Sequence, residues 1–252
     1  MPGQIVSAAV EKKKTAVYID GYNLYYGRLR GTAFKWLDVP ALFDHILAVQ
    51  DPSATVEAVK FFSAPALGRF ASHGADSVIA QESYHRALQV RHPSRFSIKL
   101  GNHSMDNDGS LMPMFVPGQP YDRNLKVRVW RLEEKMTDVN LAMAMYRDGS
   151  KGLFDQVVLC SNDSDAEPVL EALREDFPKL VIGLVTPVRP PADEATSRRF
   201  SLSLMKHAHW TRRYILDEEL SADQLPSIVP TKKKPIRKPS GQLARALLGS
   251  DR

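Results

Sequence analysis

Ala16–Asn23 reads AVYIDGYN, and Gln156–Asp165 reads QVVLCSNDSD. Each is a short apolar, β-branched run that ends abruptly in a polar loop carrying aspartate. Runs of this kind lack polar alternation, which suits strands buried on both faces of a parallel sheet. In open parallel sheets, function collects beyond the carboxyl ends of the strands. Asp20 follows the first run, and Asp163 and Asp165 follow the second. Parallel pairing would bring all three carboxylates to one edge.

Working outward, strands and helices alternate. Pro40–Val49 has apolar residues at helical spacing, with Pro40 suited to a first turn. Residues 56–62 predict a strand, and 77–90 a helix with Ile79, Tyr84 and Leu88 on one side. Phe96–Leu100 predicts a third strand. Residues 101–123 are dense in Gly, Asn, Asp and Pro. They read as an excursion from the domain, a hairpin whose second arm is Leu125–Trp130. Asp138–Tyr146 predicts an amphipathic helix ending near Gly149. Val169–Arg174 sits in a helix, Leu180–Val185 is another apolar strand, and Glu194–Ala208 is expected as the final helix. The alternation predicts an α/β fold: a three-layer α/β/α sandwich with a mainly parallel central sheet and right-handed crossovers. The expected organisation is a leader over 1–14, one domain over 15–225 with an insertion near 101–123, and a basic Pro/Lys-rich tail over 226–252.

The 252 residues carry a net charge of +5. Residues 231–252 hold seven basic side chains against Asp251, a net +6, so the rest of the chain is near neutral at −1. Such a run is weak support for a nucleic-acid partner, because most short Lys/Arg runs are solvated tails. A single cysteine, Cys160, excludes an internal disulfide and any multi-cysteine zinc site; its place at a strand end suits a buried, inert thiol. His73, His85, His92 and His103 lack a metal-binding repeat, while His207 and His209 resemble a helix end. No apolar run of 18 residues and no secretory h-region occurs, so a cytoplasmic protein without membrane contact is expected. Neither G-x-x-x-x-G-K-[ST] nor G-x-G-x-x-G is present, leaving nucleotide hydrolysis and dinucleotide binding without their glycine cradle.

Aspartates converging without a basic neighbour repel one another unless a divalent cation compensates them. Mg²⁺ prefers such hard oxygen ligands and retains several waters, which suits chemistry on a phosphate. Asp138, at a predicted helix start, would be a fourth member. Each residue also has a structural reading. Asp20 before Gly21 could be a turn residue, and Asp163 could accept amides of its own turn. Asp165 could cap the helix with Pro168 at its third position, and Thr137 and Asp138 could cap the helix they open. Tyr22, Tyr25, Tyr26, Phe34 and Trp36 could stack on bases, but a buried apolar cluster is the commoner outcome.

AVYIDGYNLYYG, EEKMTDVNLAMAMY and FDQVVLCSNDSDAEPVLEAL resemble, in order, the three blocks of the NYN domain (LabA-like, DUF88), a branch of the PIN-like nuclease superfamily. The resemblance spans about Thr15 to Pro187, with IRKPS at 236–240 as a further similar segment. It implies an Mg²⁺- or Mn²⁺-dependent nuclease in which Asp20, Asp138, Asp163 and Asp165 bind metal and carry catalysis. Asn23 would orient a carboxylate or contact a scissile phosphate, and Ser161 and Ser164 would support the loop. Lys135 would either neutralise charge on the substrate or pair at the surface with Glu133 or Glu134. Asn162 stands where many relatives have Gly, and it would have to tolerate a left-handed backbone if the turn demands one. Ala166 replaces a larger apolar residue.

The expected partner is nucleic acid, RNA rather than DNA by analogy with the superfamily, while a homodimer making a composite groove is left open. Two other functions compete. One is a non-catalytic RNA-binding module with the same fold. The other is a metal-dependent phosphatase of small esters, although DGYN lacks the D-x-D of one common phosphatase type.

Overall fold

In the computed structural model, which describes residues 12–191 and 200–239, β1 (Lys13–Asp20) lies at the centre of a six-stranded sheet. Its partners are β2 (Ala54–Ser63), β3 (Phe96–Leu100), β8 (Gln156–Cys160), β9 (Val181–Val185) and β10 (Trp210–Arg212). The order is β10-β9-β8-β1-β2-β3, and every pairing is parallel. The chain first builds outward from β1 through β2 to β3. It then returns to the other side of β1 for β8, β9 and β10. The crevice between β1 and β8 is therefore the point where strand order reverses, and there the two loops that follow them diverge.

Helices cover both faces, and the strand residues are divided between them by the two-residue period of the pleat. Val17, Ile19, Val158 and Cys160 face one core with α2 (Val39–Gln50) and α3 (Ala75–Arg91). Ala16, Tyr18, Val157 and Leu159 face the other with α4 (Thr137–Ser150), α5 (Glu167–Asp176) and α6 (Leu202–His207). The expected three layers are present. Asp38 caps α2 by accepting the Ala41 N–H at 3.3 Å, with Pro40 in the first turn where its missing N–H is harmless.

Several local expectations need correction. The first strand starts at Lys13, inside the expected leader. On α3 the side chain of Ile79 points to solvent, and the buried side of the helix is Ala80, Ala87 and Leu88. The excursion forms a long two-step β-arm. At its base β4 (Asn102–Met105) pairs antiparallel with β7 (Leu132–Lys135), and farther out β5 (Ser110–Pro113) pairs with β6 (Lys126–Val129). Residues 194–199 of the expected Glu194–Ala208 helix lie outside the described residues. The part that is seen is α6, and it is not last, since α7 (Asp217–Ala222) follows.

The C-terminal stretch also extends the fold beyond residue 225. Strands β11 (Ile228–Val229) and β12 (Ile236–Arg237) pair antiparallel, and Val229 and Ile236 are buried in the first core. The lysines at 232–234 form the exposed turn between them. Among the described residues no helix is long and apolar enough to cross a membrane.

Candidate acidic site at the strand-order reversal

Asp20 ends β1 and caps the short α1 (Gly21–Leu24), accepting the Asn23 N–H at 2.9 Å. Its other oxygen accepts the Ser161 hydroxyl at 3.1 Å from the far side of the crevice. Gly21 is required by close approach rather than by a left-handed turn. A Cβ there would lie 2.5 Å from the Phe61 ring and 2.8 Å from the Phe62 carbonyl. The Asp-Gly pair thus lets α1 start directly against β2, leaving Asp20 only 6% exposed.

The loop after β8 is tied to the same place. Asn23 Oδ1 accepts the Asn162 N–H at 3.1 Å, and Ser161 Oγ accepts the Asp163 N–H at 3.1 Å. Asn23 therefore orients the acidic loop as a whole. Asp163 accepts the Asp165 N–H at 3.1 Å and caps a 3₁₀ turn, Ser164–Ala166, that leads into α5. Asp165, a candidate cap for α5, does not cap it: Ala166 precedes that helix without a side-chain cap, and Pro168 lies in its first turn. Asn162 does not use a left-handed backbone, and its side chain instead accepts the Ser201 N–H at 2.9 Å.

Asp138 arrives from the arm. Met136 precedes α4 with φ 77°, the one positive-φ non-glycine among the described residues. A bulky residue there is strained, and such strain gathers at functional sites. Neither Thr137 nor Asp138 is the cap; both lie within the first turn. Thr137 is buried, whereas Asp138 is exposed. Lys135 pairs with Glu133, which also pairs with Arg131, so the surface alternative for Lys135 is the one observed. Ser164 is exposed at the rim.

The charges of these groups act on one another. Burial, with smaller contributions from Asp138 and Asp163, pushes the Asp20 carboxyl up to about 6, against the pull of its two hydrogen bonds. Loss of hydration among its acidic neighbours, and then the charges of Asp163 and Asp165, raise the surface carboxyl of Asp138. Glu134 is also raised, by loss of hydration and by Asp20 and Asp138, against a hydrogen bond with the Thr137 side chain. It is a fifth member that sequence reasoning missed. Its signal is the EEK run at 133–135, which sequence alone offers only as a surface partner for Lys135.

None of the five carboxylates forms an ion pair among the described residues. Nor do any three His, Cys, Asp or Glu side chains there make a ready-gathered metal site. The donor set nonetheless fits a hard divalent cation: it is all oxygen, mutually repelling and without a protein cation. An ion that keeps several waters does not need a closed protein cage.

Beside this edge lies a cavity of about 550 Å³. Tyr22, Tyr25, Trp36, Phe61 and Tyr84 supply aromatic walls, and Lys35 also lines it. The aromatic cluster expected after the first acidic loop is therefore partly core, as for Trp36, and partly cavity wall. Cys160 and His209 are structural. Cys160 is buried and its thiol is pushed up by burial and by Asp20. His209 Nδ1 accepts the Ile182 N–H at 2.8 Å.

Fold and site together define a three-layer α/β/α protein with an acidic cluster at the reversal point of a parallel sheet. No family model matches the chain. The chain belongs to the family of the 6-hydroxy-3-succinoylpyridine 3-monooxygenase HspA of Pseudomonas putida. The two are 34% identical over 239 residues, covering 90% of this chain and 75% of that enzyme. Among solved structures, a Vibrio parahaemolyticus protein of unknown function superposes with a TM-score of 0.48 at 18% identity, covering 84% of this chain and 98% of its own.

Proposed function

We propose that the chain is a divalent-metal-dependent phosphodiester hydrolase acting on RNA at the crevice between β1 and β8. The observation that carries this reading is Asp20: a buried carboxylate with no cation among the described residues, raised by burial and by two neighbouring carboxylates. The NYN-like sequence blocks support RNA as the substrate class. Asp20, Asp138, Asp163 and Asp165 would hold Mg²⁺ or Mn²⁺, with Glu134 beside them. When bound, such an ion supplies Lewis acidity at a phosphoryl oxygen and neutralises the crowded carboxylates.

The chain's own residues prepare this edge. Ser161 and the Asn23 amide fix the two oxygens of Asp20. Asn23, through the Asn162 amide, locks the second acidic loop to the first. Ser164, exposed at the rim, would support the loop or donate to a phosphate oxygen.

Labelled single-stranded RNA and DNA, with small phosphate esters alongside, test this in Mn²⁺, Mg²⁺ or EDTA using wild type, Asp20→Asn and Asp163→Asn. Metal-dependent RNA cleavage, lost in both variants, is expected. Undiminished cutting by either variant would remove the assignment. RNA binding without turnover at saturating Mn²⁺ would favour the binding-module reading, and turnover of the small esters alone a phosphatase.

The 34% identity to HspA favours a second reading, hydroxylation of a hydroxypyridine ring. Because the 3-position already carries the succinoyl group, oxygenation there breaks the ring–acyl bond. One atom of dioxygen becomes the ring hydroxyl, the other leaves as water, and the acyl group departs as an aldehyde. Four electrons and four protons are consumed, the electrons coming from two reduced nicotinamides. Incubation with 6-hydroxy-3-succinoylpyridine, air and NADH tests it. Stoichiometric loss of substrate and NADH would support oxidation, and absence of both would exclude that substrate and donor.

A further inference from the structure

The cavity beside the acidic edge has a different chemistry from the carboxylates. Its walls come from the segment after β1, from β2 and from α3, and Lys238 and Pro239 close one side. Its volume of about 550 Å³ lies within the range of small-molecule sites. The aromatic faces are organised rather than merely crowded. Tyr22 and Tyr26 lie nearly parallel, with ring centroids 5.9 Å apart and an interplanar angle of 11°. Trp36 and Tyr84, which also line the cavity, have ring centroids 5.9 Å apart. Tyr84 donates its hydroxyl to the Leu37 carbonyl at 2.8 Å, so its ring is held in place.

Two cations converge on this apolar space. Lys35 Nζ is buried and has no hydrogen-bond partner among the described residues; its ring contact is with Tyr25, 5.8 Å from the centroid. A buried ammonium without an acceptor is costly, and an anion would relieve that cost. Arg30 stands at the rim over Tyr26, 5.6 Å from that ring. Burial first, and then the Arg30 charge, lower Lys35 to about 8, so it remains largely protonated at neutral pH. His103 adds a buried Nδ1 without a partner, and burial lowers its pKa.

We infer that this cavity is a binding site for a planar aromatic or heteroaromatic ring carrying an anionic group, the ring held among Tyr22, Trp36 and Tyr84 and the anion at Lys35. The chemistry is shared by a nucleotide and by a small aryl acid. The inference does not depend on hydrolysis, because none of the acidic cluster is used.

Calorimetric titration of the full chain in EDTA keeps binding separate from any metal-dependent turnover. The probes are adenosine 5′-monophosphate, 6-hydroxynicotinate and neutral indole, with wild type, Lys35→Met and Lys35→Arg. Saturable one-to-one binding of at least one anionic probe is expected, weakened at least tenfold by Lys35→Met and largely restored by Lys35→Arg. Indole binding should be unchanged in all three proteins. Binding of the nucleotide alone would name a nucleotide source, and binding of the pyridine acid alone a small aryl acid. No saturable anionic binding in wild type, or equal affinity in Lys35→Met, would overturn the site. Parallel loss of indole would contradict the charge assignment. A cleavage assay that fails while these titrations succeed would refute only the hydrolytic reading.

Discussion

Asp20 and Asp148 are both aspartates beside the same central strand, only 6% and 7% exposed, yet their surroundings are opposite. Asp148, on α4, accepts the Tyr18 hydroxyl and pairs with the Lys60 ammonium. Its charge is compensated within the protein. Asp20 receives one hydroxyl and one amide, and the charges that reach it are other carboxylates. The difference separates a carboxylate whose partners complete the fold from one that has no cationic partner among the described residues. Both are buried and hydrogen-bonded, but among the described residues only Asp148 has a cation beside it.

The first way to break this comparison is kinetic. Asp20→Asn should lower metal-dependent RNA cleavage on the order of 10³-fold, the several kcal/mol a lost metal interaction represents. Asp148→Asn should retain wild-type cleavage per folded molecule. Cleavage assays corrected for folded fraction decide it.

A second contrast concerns stability. Asp148→Asn strands the Lys60 charge and should cost about 3 kcal/mol in urea unfolding. Asp20→Asn should do the reverse in EDTA. The folded-state pKa of Asp20 is raised from an ordinary carboxylate value to about 6. The folded protein therefore holds that proton more tightly than the unfolded chain. The associated stability is present below about pH 4 and lost as pH rises through about 6. At pH 7.5 the variant should be more stable than wild type by up to about 3 kcal/mol, with the gain vanishing near pH 4. A gain that persists undiminished at pH 4 would show that ionisation of Asp20 is not its source.

The smallest effect sharpens the role of the hydroxyl between the two loops. Ser161→Ala removes one acceptor from Asp163 N–H and one donor to Asp20. About tenfold loss of cleavage is expected, since partners that orient a ligand are typically worth 10–100-fold. Thermal unfolding should move by only a few degrees.

Much of the fold was legible because its strands are short and apolar throughout. QVVLC became β8 with the expected bounds, and AVYID became the end of β1. Periodicity placed α2 and α4 but misjudged α3, whose weakly patterned surface gave Ile79 no reliable side. The two-step pairing of the arm depends on long-range register, which local sequence does not encode. The buried positions of Val229 and Ile236 were hidden by the lysines between them. At the site, Asp20 and the SNDSD loop were readable from strand ends. Glu134 was not, because it reaches the cluster only through the arm's return into α4. Lys35 and its cavity were equally silent, since their meaning lies in what surrounds them.

The most direct test of the central distinction is calorimetric titration of Mn²⁺ into wild type, Asp20→Asn and Asp148→Asn. Saturable binding is expected in wild type and in Asp148→Asn, and binding at least tenfold weaker in Asp20→Asn. Absence of binding in wild type, or equal affinity in Asp20→Asn, would contradict the proposal that Asp20, which has no cationic partner among the described residues, takes a metal ion from solution.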